Sequence, residues 1–162
     1  GVGAFKHAMD KFQQKPFAFK ETLLEAVFEK KKPLLGICLG MQMLGSESEE
    51  APGSSGLKLI PGVSSLIRPQ SDGRFKCPHM GWTKISYKSS CPLFSNFPTN
   101  ARFYFAHSYK FCPENSNIVT STFDHGQPIA SSIEYENIFG VQFHPEKSHI
   151  FGMKLLANFS KI

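Results

Sequence analysis

The chain has 162 residues, of which 41% are hydrophobic, and it carries a net charge of +5. This length predicts one domain with a core of its own, and no apolar run approaches the roughly 18 residues of a membrane span. The first ten residues lack the charged and then apolar layout of a secretion signal, so we expect a cytoplasmic protein without a membrane partner.

The basic residues and the cysteines narrow the possible partners further. Lys30, Lys31 and Lys32 form the one dense basic run, at a predicted helix end where cations favour the helix dipole. No nucleic-acid-binding motif accompanies the run, so we expect no nucleic-acid partner. The four cysteines show no CxxC spacing, so neither a metal site nor a disulfide framework is predicted. Three of them, all except Cys38, are expected to be reduced and mostly buried.

The first part of the chain alternates helix and strand. Residues 20–32 have the apolar spacing of an amphipathic helix, which ends at Pro33. Its apolar face comprises Leu23, Leu24, Val27 and Phe28. Residues 33–37 form a short apolar run, which is typical of a buried strand, and residues 39–44 return to helical character. This order predicts an α/β fold.

The rest of the chain predicts a sheet and a final helix. Residues 45–56 favour a loop, and short candidate strands follow between residues 57 and 87. The stronger strand candidates are residues 101–106, 117–123, 128–134 and 138–143. Residues 149–160 have a helical apolar stripe. We therefore predict a single mixed-sheet α/β domain with flanking helices over residues 1–162.

One candidate nucleophile lies in Gly36-Ile37-Cys38-Leu39-Gly40, the cysteine form of a nucleophile elbow. A sharp strand-to-helix turn exposes the side chain and crowds the backbone, which favours glycine on either side. The N-terminus of the following helix and a nearby base are expected to lower the pKa of the thiol. The pentapeptide alone is equally compatible with a structural cysteine.

A candidate base and its partner lie in Phe143-His144-Pro145-Glu146, directly after a predicted strand. Catalytic groups of open α/β sheets gather at strand ends. His144 can act as general base toward Cys38, and Glu146 can accept from its other ring nitrogen. Two such motifs, each at a strand end, favour a catalytic pair over a surface histidine.

Five stretches resemble one family. Residues 36–42 (GICLGMQ) and 140–146 (GVQFHPE) resemble the nucleophile and His-Glu motifs of the class I glutamine amidotransferases. Residues 1–5 (GVGAF), 78–82 (PHMGW) and 107–109 (HSY) are similar to signatures of the glutaminase subunits of imidazole glycerol phosphate synthase. The motifs occur in family order nearly from end to end. The resemblance implies the family's flavodoxin-like fold, without a cofactor or metal.

The resemblance also implies roles for single residues. Cys38, His144 and Glu146 would form a triad that hydrolyses glutamine to glutamate and ammonia through a glutamyl thioester. The backbone N–H groups of Leu39 and of the glycine loop at Gly3 would bind the oxyanion. Substrate-binding roles would fall to Gln42, Glu50, Ser108 and Tyr109.

A partner is implied as well. Trp82 and Lys147 would lie at the interface with a (β/α)8-barrel cyclase, which uses the ammonia for imidazole glycerol phosphate synthesis in histidine biosynthesis. His79 has a side chain that could act in catalysis, but it is not expected to be catalytic. The resemblance starts inside the family's glycine loop, so the domain is expected to lack the first strands of the family domain.

Other functions remain open from the sequence. A paralogue could supply ammonia to a sugar amidotransferase of surface-polysaccharide synthesis, or the fold could serve as a catalytically idle scaffold. The intact Cys38, His144 and Glu146 argue against a scaffold. A cysteine peptidase or γ-glutamyl hydrolase shares the elbow, but Gln42 and the PHMGW stretch weigh against it.

Overall fold

Four α-helices and ten strands make up the part of the chain that the computed structural model describes, residues 4–14, 19–68 and 74–162. The helices are α1 (Phe5–Gln13), α2 (Phe19–Leu24), which continues as a π-helical turn (Glu25–Glu29), α3 (Leu39–Met43) and α4 (His149–Phe159). The strands are β1 (Leu34–Ile37), β2 (Glu47–Ser48), β3 (Gly62–Leu66), β4 (His79–Lys84), β5 (Ser86–Tyr87), β6 (Arg102–His107), β7 (Tyr109–Pro113), β8 (Val119–Asp124), β9 (Pro128–Tyr135) and β10 (Ile138–Val141).

The largest sheet brings the two predicted catalytic motifs together. Its strand order is β1-β10-β9-β8-β5, and β1 runs parallel to β10 while the other pairs are antiparallel. In the register of β1 and β10, Ile37 lies opposite Val141. Because the strands are parallel and in register, their carboxyl ends meet at one edge of the sheet. Cys38 directly follows the end of β1, and His144 lies three residues after the end of β10.

Two smaller sheets and two apolar clusters complete the domain. The sheets have the strand orders β2-β3-β7 and β4-β6. One cluster packs α1 and α3 around Phe5, Met41 and Phe111, and the other surrounds Phe103 and Phe143, whose rings stack 4.0 Å apart. Each fully buried phenylalanine contributes roughly 1.5–3 kcal/mol of transfer free energy. The second cluster includes Phe143, the residue directly before the predicted base.

The predicted elements are largely confirmed, and the fold class with them. Helix α1 and strand β7 were not predicted, and the short strand β2 lies in the predicted loop 45–56. The predicted helix 20–32 is an α-helix that continues as a π-helix and ends at Glu29, so residues 30–32 are not helical. The wider π-helical turn changes the angular phase of the residues along the helix. Phe28, predicted on the apolar face, is consequently 47% exposed. Within the described residues, no helix is long and apolar enough to cross a membrane.

Helix α4 supports the His-Glu motif through a close contact at Gly152. A Cβ at this position would lie 1.8 Å from the carbonyl oxygen of Pro145. We expect Gly152→Ala to lower the free energy of unfolding by about 2–4 kcal/mol, because the Pro145 backbone must move. Gly40→Ala is the matched control, since a Cβ there meets nothing within 4 Å. Urea unfolding of both variants measures the difference, and equal stabilities would contradict the steric argument.

Candidate active site

Cys38 occupies a strained elbow between β1 and α3. Its backbone has φ 51° and ψ −105°, an unusual conformation for a residue other than glycine. The Cys38 N–H donates to the Val141 carbonyl at 2.7 Å, which ties the turn to the end of β10. The side chain is buried, with 4% exposed, yet it lines a cavity. Strain of this kind is retained where neighbouring contacts hold the backbone in place.

Helix α3 lies unusually close to the two strands that carry the motifs. A Cβ at Gly36 would lie 2.8 Å from backbone atoms of Gly40, and one at Gly140 would lie 2.8 Å from Met41 Cγ. Gly36 and Gly140 are also register partners across β1 and β10. The sequence argument for glycine is therefore correct at Gly36, but space does not require it at Gly40. The second essential close approach is at Gly140.

The pKa of the Cys38 thiol is shifted in the direction opposite to the one expected from the sequence. Burial raises this pKa, and the charge of Glu146 acts in the same direction. The Leu39 backbone N–H and the Gln142 side-chain amide oppose the rise without cancelling it. Helix α3 has only five residues, so its dipole is too small to outweigh the desolvation. The expectation of a lowered thiol pKa was wrong, and the resting site holds a thiol.

His144 and Glu146 form the hydrogen-bonded pair that their spacing predicts. His144 Nδ1 lies 2.7 Å from Glu146 Oε1, and the imidazole is buried while the carboxylate side chain is 49% exposed. Partial burial acts to raise the pKa of Glu146, but the bonds to His144 and to its own backbone N–H hold that pKa below its ordinary value. An ionised Glu146 accepts from Nδ1–H, which leaves Nε2 of a neutral His144 free to accept a proton.

Strand β6 holds the base on its other side. The His144 N–H donates to the Tyr104 carbonyl at 2.8 Å, and the buried Ser148 hydroxyl donates to the His144 carbonyl. His144 Nε2 is buried, and no described residue bonds to it. Cys38 Sγ instead contacts the Ala106 carbonyl at 4.0 Å and Gln142 Nε2 at 3.6 Å. Nucleophile and base are thus not hydrogen-bonded to each other in this resting arrangement.

One cavity collects the nucleophile and the predicted substrate residues. Its volume is about 310 Å³, at the small end of the range for small-molecule sites. Its walls include Cys38 and Leu39 together with all four predicted substrate-binding residues, Gln42, Glu50, Ser108 and Tyr109. Residues more than 70 positions apart in the chain therefore surround one space. Their contacts with glutamine stay a prediction.

Two of these residues already have protein partners, which limits what they can offer a ligand. Gln42 Nε2 donates to the Tyr109 carbonyl at 2.9 Å and to Gln142 Oε1 at 3.3 Å, so both of its N–H groups are used. Only Gln42 Oε1 remains, and it can only accept. One Glu50 oxygen accepts from the Phe5 N–H at 3.3 Å, at the start of α1. The Leu39 N–H faces the Cys38 sulfur, whereas Gly3 lies outside the described residues.

A chain of hydrogen bonds that the sequence analysis missed supports the Tyr109 carbonyl. His107 Nδ1 lies 2.8 Å from it, and a carbonyl only accepts, so Nδ1 donates. His107 Nε2 then accepts from His79 Nδ1 at 3.1 Å, and His79 Nε2 accepts from the Thr83 hydroxyl at 2.9 Å. Burial lowers the pKa of His79 to about 4 and that of His107 to about 3. Both rings are neutral at physiological pH, as this order of donors requires.

The two buried histidines make the protein sensitive to acid. Their pKa falls from an ordinary 6.5 to about 4 and 3 on folding, so below pH 6.5 the unfolded chain binds protons that the folded chain does not. We expect each histidine to lower the free energy of unfolding by on the order of 3 kcal/mol between pH 6.5 and 4. His107→Asn should flatten this dependence, while exposed His7→Asn should not. Unfolding curves at several pH values measure it, and an unaltered slope in His107→Asn would contradict the assignment.

The predicted interface residues lie together on one exposed surface. Trp82 is 44% exposed and stacks on His149, with the ring centroids 5.3 Å apart. Lys147 Nζ lies 5.9 Å from the centre of the Tyr104 ring, whose edge faces Trp82. Trp82 is therefore a surface residue rather than part of the core. Its strand, β4, also carries His79 and Thr83.

Comparison with known proteins identifies the family. The family model described as glutamine amidotransferase class-I matches residues 5–162. This chain belongs to the class I glutamine amidotransferases. Among amidotransferases of this family, the imidazole glycerol phosphate synthase subunit HisH of Moorella thermoacetica is 43% identical over 162 residues, which cover 100% of this chain and 74% of that protein. The subunit HisH of Pyrococcus furiosus is 41% identical and is covered to 79%, with 100% of this chain aligned.

A solved structure supports the amidotransferase fold. A glutamine amidotransferase from Thermotoga maritima superimposes with a TM-score of 0.62 at 21% sequence identity. The match covers 99% of this chain and 59% of that protein. At this identity the similarity concerns the fold alone. The mixed-sheet amidotransferase architecture predicted from the motifs is thereby confirmed.

Proposed function

We propose that this chain is the glutaminase subunit of an imidazole glycerol phosphate synthase, which hydrolyses glutamine and supplies ammonia for histidine biosynthesis. The observation that carries the proposal is the cavity that places Cys38 among Gln42, Glu50, Ser108 and Tyr109. The similarity to subunits of that synthase, over the whole chain, selects this pathway from those that the family serves.

The first chemical step uses the Cys38–His144 pair. Cys38 Sγ transfers its proton to His144 Nε2 and attacks the side-chain carboxamide carbon of glutamine. Because burial raises the pKa of the thiol, the base must take the proton as the attack proceeds. Glu146, bonded to Nδ1, stabilises the imidazolium that forms.

The second half of the reaction releases ammonia. The tetrahedral intermediate carries an oxyanion, and the Leu39 N–H beside the sulfur supplies one donor to it. The glycine loop at Gly3 supplies the other in this proposal. The imidazolium returns its proton to the nitrogen, ammonia leaves, and a glutamyl thioester remains. Water activated by His144 then releases glutamate and regenerates the thiol.

The partner that uses the ammonia is a (β/α)8-barrel cyclase subunit, and the complex is cytoplasmic in this proposal. The exposed surface of Trp82, His149, Tyr104 and Lys147 is its contact site. The indole of Trp82 and the phenol ring of Tyr104 suit the centre of a protein interface. A surface-polysaccharide amidotransferase as partner would keep the same glutaminase chemistry. Co-purification from the source cell, followed by an assay of the captured synthase, distinguishes the two partners.

A glutamine-mimicking chloroketone is expected to label Cys38 and to spare the other thiols. Cys91 is buried and its pKa is raised to about 11, mainly by burial, while Cys77 and Cys112 are half-buried and lie outside the cavity wall. Mass spectrometry of the labelled full-length protein locates the adduct, and Cys38→Ser is the control. Labelling spread evenly over the four cysteines would refute the assignment of Cys38 as nucleophile.

A further inference from the structure

Two buried amides connect the Tyr109 carbonyl to the Cys38 sulfur. Gln42 Nε2 donates to Tyr109 O at 2.9 Å and to Gln142 Oε1 at 3.3 Å, and Gln142 Nε2 donates to Cys38 Sγ at 3.6 Å. Gln142 has 0% of its surface exposed, and Gln42 has 4%. Burying an amide costs free energy unless its hydrogen-bonding groups find partners. The position of a fully buried amide beside a nucleophile therefore calls for a functional explanation.

The direction of both amides follows from the carbonyl at the end of the chain. Tyr109 O can only accept, so the group of Gln42 that faces it is the NH₂. The same NH₂ faces Gln142, which must therefore present its oxygen. A flipped Gln142 would place one NH₂ against another at 3.3 Å. The nitrogen of Gln142 is consequently directed at the Cys38 sulfur and cannot turn away.

The carbonyl that sets this direction is itself held in place. Tyr109 O also accepts from His107 Nδ1 at 2.8 Å, so both of its lone pairs are used. His107 is bonded in turn to His79 on β4. The donor at the sulfur is thus fixed by a network of hydrogen bonds that reaches from the His79–His107 pair to the nucleophile.

We propose that Gln142 is a further catalytic residue, a preorientated hydrogen-bond donor that stabilises the Cys38 thiolate as its proton leaves for His144. The assignment rests on the proposed glutaminase function. A neutral amide donor stabilises an anionic sulfur but gives little to a neutral thiol, so the contact strengthens when charge develops. Gln142 therefore favours ionisation at a site where burial opposes it.

The test is the pH dependence of Cys38 alkylation by iodoacetamide in the full-length protein without glutamine. Gln142→Met keeps the length of the side chain and removes the hydrogen-bond donor. It should raise the pH midpoint of Cys38 alkylation by about one unit. Gln127→Met, at an exposed position, should leave the midpoint unchanged. Besides Cys38, the titratable side chains of the cavity and of the His-Glu pair are Glu50, His107, Tyr109, His144 and Glu146, and none of them is replaced.

Two further measurements keep the outcome decisive. Gln42→Met removes the group that orients Gln142. It should raise the pH midpoint of Cys38 alkylation as well, but by less than Gln142→Met does. In the partner-activated protein, Gln142→Met should lower kcat for glutamine about tenfold with KM little changed, because the amide contacts the nucleophile and not the substrate. The proposal would be overturned if folded Gln142→Met showed the wild-type alkylation midpoint. If Gln142→Met does not fold, a wild-type midpoint in Gln42→Met would overturn it. A wild-type protein that alkylates normally but hydrolyses no glutamine would instead refute the proposed function.

Discussion

Replacing His144 by alanine is expected to lower partner-activated glutamine hydrolysis by about 10⁴-fold. The reason is the state of the nucleophile. Burial raises the pKa of the Cys38 thiol, so little thiolate exists without a base, and His144 Nε2 is the buried nitrogen that no described residue engages. Removing it eliminates the proton acceptor for the attack and the proton donor for ammonia release. Glutamate formation at saturating glutamine measures the loss.

Two variants delimit this result. Glu146→Ala should cost less, about 10²-fold, because its carboxylate is half exposed and water can replace it as the acceptor for Nδ1–H. His7→Ala, an exposed histidine on α1, should turn over glutamine at the wild-type rate. A His144→Ala protein that retains turnover within tenfold of wild type would rule out the triad.

Adding the cyclase partner with its acceptor bound is expected to raise glutamine hydrolysis by roughly 10²–10³-fold, the effect of one oxyanion donor. In the resting site the thiol contacts the Ala106 carbonyl, and no described residue bonds to His144 Nε2. A partner that binds the aligned arrangement more tightly shifts the population toward it, by no more than its difference in affinity. The rate of glutamate release against partner concentration is the measurement.

Trp82→Ala tests where the partner binds. Its indole is exposed and stacked on His149, so truncation should weaken association or coupling without lowering stability. Tyr135→Ala, which removes an exposed aromatic ring from the end of β9, should leave both unchanged. A glutaminase that is already fast alone, and stays equally fast as partner is added, would indicate an independent hydrolase instead.

The positions of the two candidate catalytic motifs at strand ends could be predicted because they depend on local geometry. The elbow at Cys38 and the turn at His144 each follow a short strand, and parallel pairing then brings the strand ends together. Tyr109, Gln42 and Glu50 were found through resemblance, and they share a cavity because β7, α3 and the loop after β2 meet there. Their position in the sequence alone does not reveal this.

The remaining features depend on contacts between distant residues. Gln142 is an ordinary polar residue in the sequence, and its importance comes from neighbours that lie 100 and 104 positions away. The direction of the Cys38 pKa shift depends on burial, which outweighs a short helix. Phe28 is exposed because the helix changes to a π-turn. The one signal that could have indicated the His79–His107 pair was their place in two separate motifs.

The parallel pairing of β1 with β10 also determines when the protein becomes chemically competent during its synthesis. Leu34–Ile37 leaves the ribosome about 100 residues before its partner strand, an interval on the order of ten seconds at usual elongation rates. Throughout that interval Cys38 has neither base nor amide donor. A nascent chain that has not yet reached β10 therefore presents Cys38 without the proposed base and amide donor, and glutamine hydrolysis begins only after β10 and the His-Glu motif have been made.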